Sequence, residues 1–108
     1  MKRILLSATS LVLALATLPA LAKGDAEKGK TLFYTCTGCH GIADYKNVYP
    51  TYRVPKVGGQ NEQYLVAALA SYKKGERHHP TMQAQAESFS EQEIADIAAY
   101  LSSLKTAK

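Results

Sequence analysis

Beyond residue 22 the chain has no run both long and apolar enough to cross a bilayer. Internal repeats, low-complexity tracts and Pro/Gly/Ser-rich linkers are also missing, so a single domain is expected. There is little strand propensity and no βαβ pattern. Charge is modest: the 108 residues carry a formal +4, too small a surplus to suggest a nucleic-acid binder. Sulfur is scarce. Cys36 and Cys39 are the only cysteines, and Met82 is the only methionine besides the initiator.

What is present begins with "MKRILLSATSLVLALATLPALAKGD". Lys2 and Arg3 precede a mostly apolar run over residues 4–18, Pro19 breaks any helix, and Ala20-Leu21-Ala22 offers a small-x-small cleavage site. This pattern reads as a secretory signal over residues 1–22 and places the mature protein in the periplasm. An uncleaved N-terminal anchor is the alternative, although the run is short and dotted with Ser and Thr. Cleavage would leave residues 23–108 as one domain and, by removing Lys2 and Arg3, lower the formal charge from +4 to +2. A chain of that size has a marginal core and usually borrows stability from disulfides, a metal or a cofactor.

Three main helices are expected. Asp25 is a good N-cap, and Ala26, Gly29, Phe33 and Cys36 share one face of a helix over about residues 26–35, which delivers Cys36 at its end. Gly29 costs helix stability and so suggests that another backbone comes close. In "NEQYLVAALASYKKG", Asn61 caps a second helix whose stripe is Tyr64, Leu65, Ala68, Leu69 and Tyr72, and Gly75 ends it. In "FSEQEI", Ser90 and Glu93 form a capping box, with Phe89 and Ile94 placed to staple across it. Ile97, Ala98, Leu101 and Leu104 continue that third helix's face. Two long loops are expected between the helices, "GIADYKNVYPTYRVPKVGGQ" and "ERHHPTMQAQAES". Loops that long in a small domain usually wrap around something.

The question is what the thiols in "TCTGCHG" are for. A thioredoxin-like pair is expected near a βαβ pattern, which is absent. Zinc needs four ligands, and no second pair follows at a suitable spacing. A disulfide closing so small a ring would constrain little of the unfolded chain. The remaining reading is covalent haem attachment. Two thiols on one turn can reach two vinyl groups on one porphyrin edge, and His40 then lies beneath the iron as proximal ligand. A second axial ligand must come from Met, His or Lys. Met82 is the lone methionine candidate, standing after Pro80 in a polar run, and His78 and His79 are its rivals.

Taken together, "GDAEKGKTLFYTCTGCHG", "VPKVGGQNEQYLVAALASYKKGER", the Met82 loop and "FSEQEIADIAAYLSSL" resemble a class I cytochrome c, in particular the small soluble bacterial type. The resemblance implies an all-α fold in which three main helices and long loops wrap one covalently bound haem c. It implies that His40 and Met82 are the axial ligands and that the Pro55 carbonyl accepts the other imidazole N–H. It also sets the first and last helices crosswise, with Gly29 and Phe33 against Ile97, Tyr100 and Leu101. Relatives often carry two such domains in tandem, whereas this chain has one attachment motif. In the tyrosine-rich "DYKNVYPTYR", Tyr45, Tyr49, Tyr52 and Arg53 are expected to line one haem edge, some bonding a propionate.

The implied activity is one-electron transfer, without enzymatic turnover, between redox protein partners that dock transiently at the exposed haem edge. A monomer is expected. Lys56, Lys73, Lys74 and Arg77 are candidates for a basic rim that steers an acidic partner, or for an ordinary solvated helix end. Two other readings stay open: a haem subunit permanently bound to a periplasmic dehydrogenase, and a ligand-binding or peroxidatic haem protein in which Met82 does not coordinate.

Overall fold

The computed structural model describes residues 22–41 and 55–104. Among them the regular structure is entirely helical: α1 (Ala26–Leu32), a 3₁₀ turn (Phe33–Cys36), α2 (Thr37–His40), α3 (Glu62–Lys73), α4 (Pro80–Glu87) and α5 (Glu91–Ser103). The signal segment, Tyr45, Tyr49, Tyr52 and Arg53 lie outside the described residues.

The helix starts behave as their sequences dictate. Asp25 Oδ1 accepts from the Glu27 and Lys28 amides at 3.0 and 3.3 Å. Asn61 Oδ1 accepts from the Tyr64 amide at 3.0 Å. At α5 the capping box closes in both directions: the Glu93 amide donates to Ser90 Oγ at 3.1 Å, and the Ser90 amide to Glu93 Oε2 at 2.8 Å. Each such bond satisfies a helix-end donor with no intrahelical partner. Ser90→Ala is therefore expected to cost about 1 kcal/mol, read as a lower denaturant midpoint with an unchanged slope. At the other end of α3, Gly75 takes φ +75, a left-handed conformation that glycine adopts without steric penalty, and the chain turns there.

Two features differ from the sequence expectation. The first helix does not stop at Thr35 but tightens and runs on to His40. A 3₁₀ turn advances each residue by about 120° rather than 100°, so four residues rotate the following face by about 80°. Phe33 points into the core while Cys36, Cys39 and His40 line the cavity described below. The second correction concerns "HHPTMQAQAES", expected as loop: Pro80–Glu87 forms α4. Pro80 occupies the first helical positions, where its missing N–H costs nothing, and Met, Gln and Ala are good helix formers. The segment lacked a recognisable stripe because it buries only Ala86.

The core is the crossing of α1 with α5. Phe33 meets Tyr100 with ring centroids 5.9 Å apart. Gly29 lies directly against the α5 backbone: an added Cβ would sit 1.9 Å from the Asp96 carbonyl oxygen and 2.9 Å from Tyr100 Cβ. The buried Asp96 carboxylate fastens the approach, its Oδ1 accepting from the Asp25 amide at 2.8 Å and from Gln92 Nε2 at 3.0 Å. Leu65, Phe89, Ile94, Ile97, Ala98 and Leu101 complete the cluster, so the Phe89–Ile94 staple is part of it. The segment before α3 is pinned to α5 by the Gly59 amide, which donates to the Leu101 carbonyl at 2.8 Å.

Candidate functional site

A cavity partly open to solvent lies between the end of the first helical run and α3, α4 and α5. Its floor is Phe33, Leu65, Ile97 and Leu101. The whole α3 stripe (Tyr64, Leu65, Ala68, Leu69 and Tyr72) lines it, which explains why Tyr64 stays 51% exposed on the side away from the core. Cys36, Cys39 and His40 form one wall and Thr81, Met82 and Gln85 another. The 3₁₀ turn and α2 supply the first wall, and the first turn of α4 carries Met82.

The local chemistry suits a metalloporphyrin. His40 Nδ1–H donates to the Pro55 carbonyl at 2.9 Å, which fixes the tautomer and leaves the Nε2 lone pair available for a metal. Burial pushes the Cys36 thiol above the usual thiol range, outweighing its contact with Thr35 Oγ1 at 3.9 Å, and the neighbouring Cys39 pushes the same way. That residue is therefore held as a thiol. Among the described residues no group of three His, Cys, Asp or Glu side chains converges as a metal cage, so the zinc reading gains no support. An apolar slot with an imidazole and a thioether on its walls and two thiols at one end fits haem c.

Motif and spacing brought Cys36, Cys39, His40 and Met82 to this site and the family resemblance added Pro55; the fold gathers all five around one cavity. Thr81, Gln85 and Phe89 were missed as lining residues. Met82, Gln85 and Phe89 follow one another at intervals of three and four, a helical spacing that only becomes visible once Pro80 is read as a helix start.

Of the rim candidates, Lys73 Nζ donates to the Phe89 carbonyl, tying the end of α3 to the corner between α4 and α5, and Lys74 is exposed. Arg77 stacks over the Tyr72 ring, 4.6 Å from its centroid, and lines the cavity mouth together with Lys56. No described helix is long and apolar enough to cross a membrane.

Known proteins match this picture. The cytochrome c family model matches residues 26–105. The chain is 39% identical to cytochrome c-554(548) of Halomonas halodenitrificans over 83 residues, covering 74% of this chain and 96% of that protein. It is 40% identical to cytochrome c4 of Pseudomonas aeruginosa over 86 residues, 80% of this chain but only 41% of that longer protein. The cytochrome subunit of sulfide dehydrogenase from Chlorobaculum tepidum is 29% identical, over 82% of this chain and 77% of the subunit. The solved cytochrome c4 of Acidithiobacillus ferrooxidans superposes with a TM-score of 0.63 at 29% identity, covering 82% of this chain and 58% of that one. Helices, cavity and kinship agree: this chain belongs to the cytochrome c family, carriers of electrons on covalently bound haem c.

Proposed function

We propose that the chain is exported to the periplasm and serves there as a one-electron carrier between redox proteins. Cys36 and Cys39 would hold its haem through thioethers, and His40 and Met82 would bind the iron. The bound group supplies reversible exchange between ferric and ferrous iron. The observation that carries this reading is the His40–Pro55 bond at 2.9 Å in a cavity that Met82 shares. Pro55 holds the imidazole in the metal-binding tautomer and raises its basicity. Met82 favours the ferrous form, which raises the potential over a bis-histidine site. With both axial positions filled by the protein, electron transfer is favoured over ligand chemistry. Arg53 and Tyr52 are assigned to a propionate edge, and Arg53→Ala should shift the midpoint potential.

Visible and near-infrared spectra of both oxidation states test the ligation. Low-spin ferric iron with the weak sulfur-to-iron charge-transfer band is expected; ready carbon monoxide binding by the ferrous protein without denaturant would overturn it. N-terminal sequencing of the exported chain, expected to begin at Lys23, tests the signal segment.

Docking is assigned to the cavity mouth, where Lys56 and Arg77 steer an acidic partner. Reversing both charges is expected to slow transfer roughly tenfold at low ionic strength, with the difference fading in salt, read by stopped flow. The likeness to a sulfide dehydrogenase subunit favours a second reading, a haem subunit held permanently by a larger chain. Affinity purification from the native host separates the two: a stoichiometric larger partner supports the subunit, and a lone monomer supports the carrier.

A further inference from the structure

The carrier reading gives the His78-His79 pair no part, yet the two histidines sit differently. His79 lines the cavity that holds Met82, and His78 does not. His79 is the N-cap of α4 and Met82 the third helical residue, so both side chains spring from one turn. The His79 ring packs edge-on to Tyr72, with centroids 6.3 Å apart, and is otherwise exposed, so little must move aside if it swings.

The two cavity histidines also differ in tautomer. His40 donates through Nδ1 and leaves Nε2 bare. His79 does the opposite: its Nδ1 accepts the Met82 amide N–H at 3.3 Å, so in the neutral ring Nε2 carries the proton. Neither nitrogen of His79 offers a lone pair to a metal while this cap is made. One hydrogen bond thus supports the turn carrying Met82 and keeps the neighbouring imidazole from competing with it.

We propose that His79 is a reserve axial ligand, which takes the iron when the Met82 sulfur leaves it. The inference rests on Met82 being the resting ligand, as read above. The exchange breaks one iron–sulfur bond and forms one iron–nitrogen bond. No electron is transferred and no proton is lost, because either Nδ1 binds directly or the Nε2 proton relocates to Nδ1. The Met82 amide turns to water. The outcome is a closed iron of lower potential, since nitrogen replaces thioether sulfur.

The test uses the mature holoprotein with Met82→Leu, which conserves volume, alone and combined with His79→Asn, which keeps an N-cap acceptor. Met82→Leu is expected to remain low-spin by visible and electron paramagnetic resonance spectra. Met82→Leu/His79→Asn should become high-spin and bind added imidazole at least tenfold more tightly. A Met82→Leu/His78→Asn control should match Met82→Leu. Circular dichroism on each variant checks helix content, and any variant that fails it is remade as Met82→Ala or His79→Gln and read in the same way. High-spin iron in folded Met82→Leu, or a spectrum that answers to His78 instead of His79, would overturn the proposal. A wild-type spectrum without methionine ligation would instead sink the carrier reading, so the two failures are distinguishable.

Discussion

Gly29→Ala is expected to destabilise the holoprotein by about 3 kcal/mol or more, enough to leave much of it unfolded at moderate temperature. Helix propensity alone argues the other way, since alanine gains about 1 kcal/mol over glycine inside a helix. The crossing decides the sign. The new Cβ would lie 1.9 Å from the Asp96 carbonyl oxygen and 2.5 Å from its carbon, both backbone atoms of α5 that no rotamer change can clear. The helices must part, which strains the Asp25–Asp96 bond and loosens Phe33 from Tyr100. Gly24 offers a contrast. A Cβ there would meet the Ala95 carbonyl oxygen at 2.2 Å, but Gly24 precedes the helix and the chain can peel away, so Gly24→Ala should cost less. Denaturant titration of the two variants, followed at the haem absorbance, gives the comparison; a loss under about 1 kcal/mol for Gly29→Ala would show that the crossing yields.

Removing both thiols should have the other large effect. A Cys36→Ala, Cys39→Ala chain is expected to be colourless and to lose most of its helical circular dichroism. Among the described residues only nine hydrophobic side chains are buried, and none of the large ones is fully enclosed. At about 25 cal/mol per Å² such a core leaves little surplus over conformational entropy. The α3 stripe lines the cavity, with Leu65 its only buried member, so α3 and α4 rely on the macrocycle for much of their apolar contact. Burying that macrocycle contributes on the order of several kcal/mol. Native-like helix content in the double variant would show that the polypeptide folds on its own.

Much of the site was legible because its chemistry needs rare residues at fixed spacing. Cys36, Cys39 and His40 are dictated by covalent geometry, and Met82 stands out because no other methionine follows the initiator. Capped, strongly amphipathic α5 was equally plain, since the Ser90–Glu93 box and the Ile94, Ile97, Leu101 face are local signals. What stayed hidden was set by tertiary context. The run from Phe33 to Cys36 tightens, so that Phe33 reaches the core while Cys36, Cys39 and His40 reach the cavity. Helix α4 was concealed by a polar composition that buries little, and Pro80 reads as a breaker until it is seen at a helix start. Lys73 could be read as a docking charge or as an ordinary helix-end lysine, and only the fold shows its ammonium bound to the Phe89 carbonyl.

The bond from the Asp25 amide to Asp96 joins positions 71 apart in the chain. The first helix therefore cannot dock in its native place before α5 has formed. Closing so large a loop carries an entropic toll that no earlier contact offsets. The α1–α5 crossing is thus a long-range contact, whereas the turns that carry Cys36 and Cys39 are closed by local bonds alone.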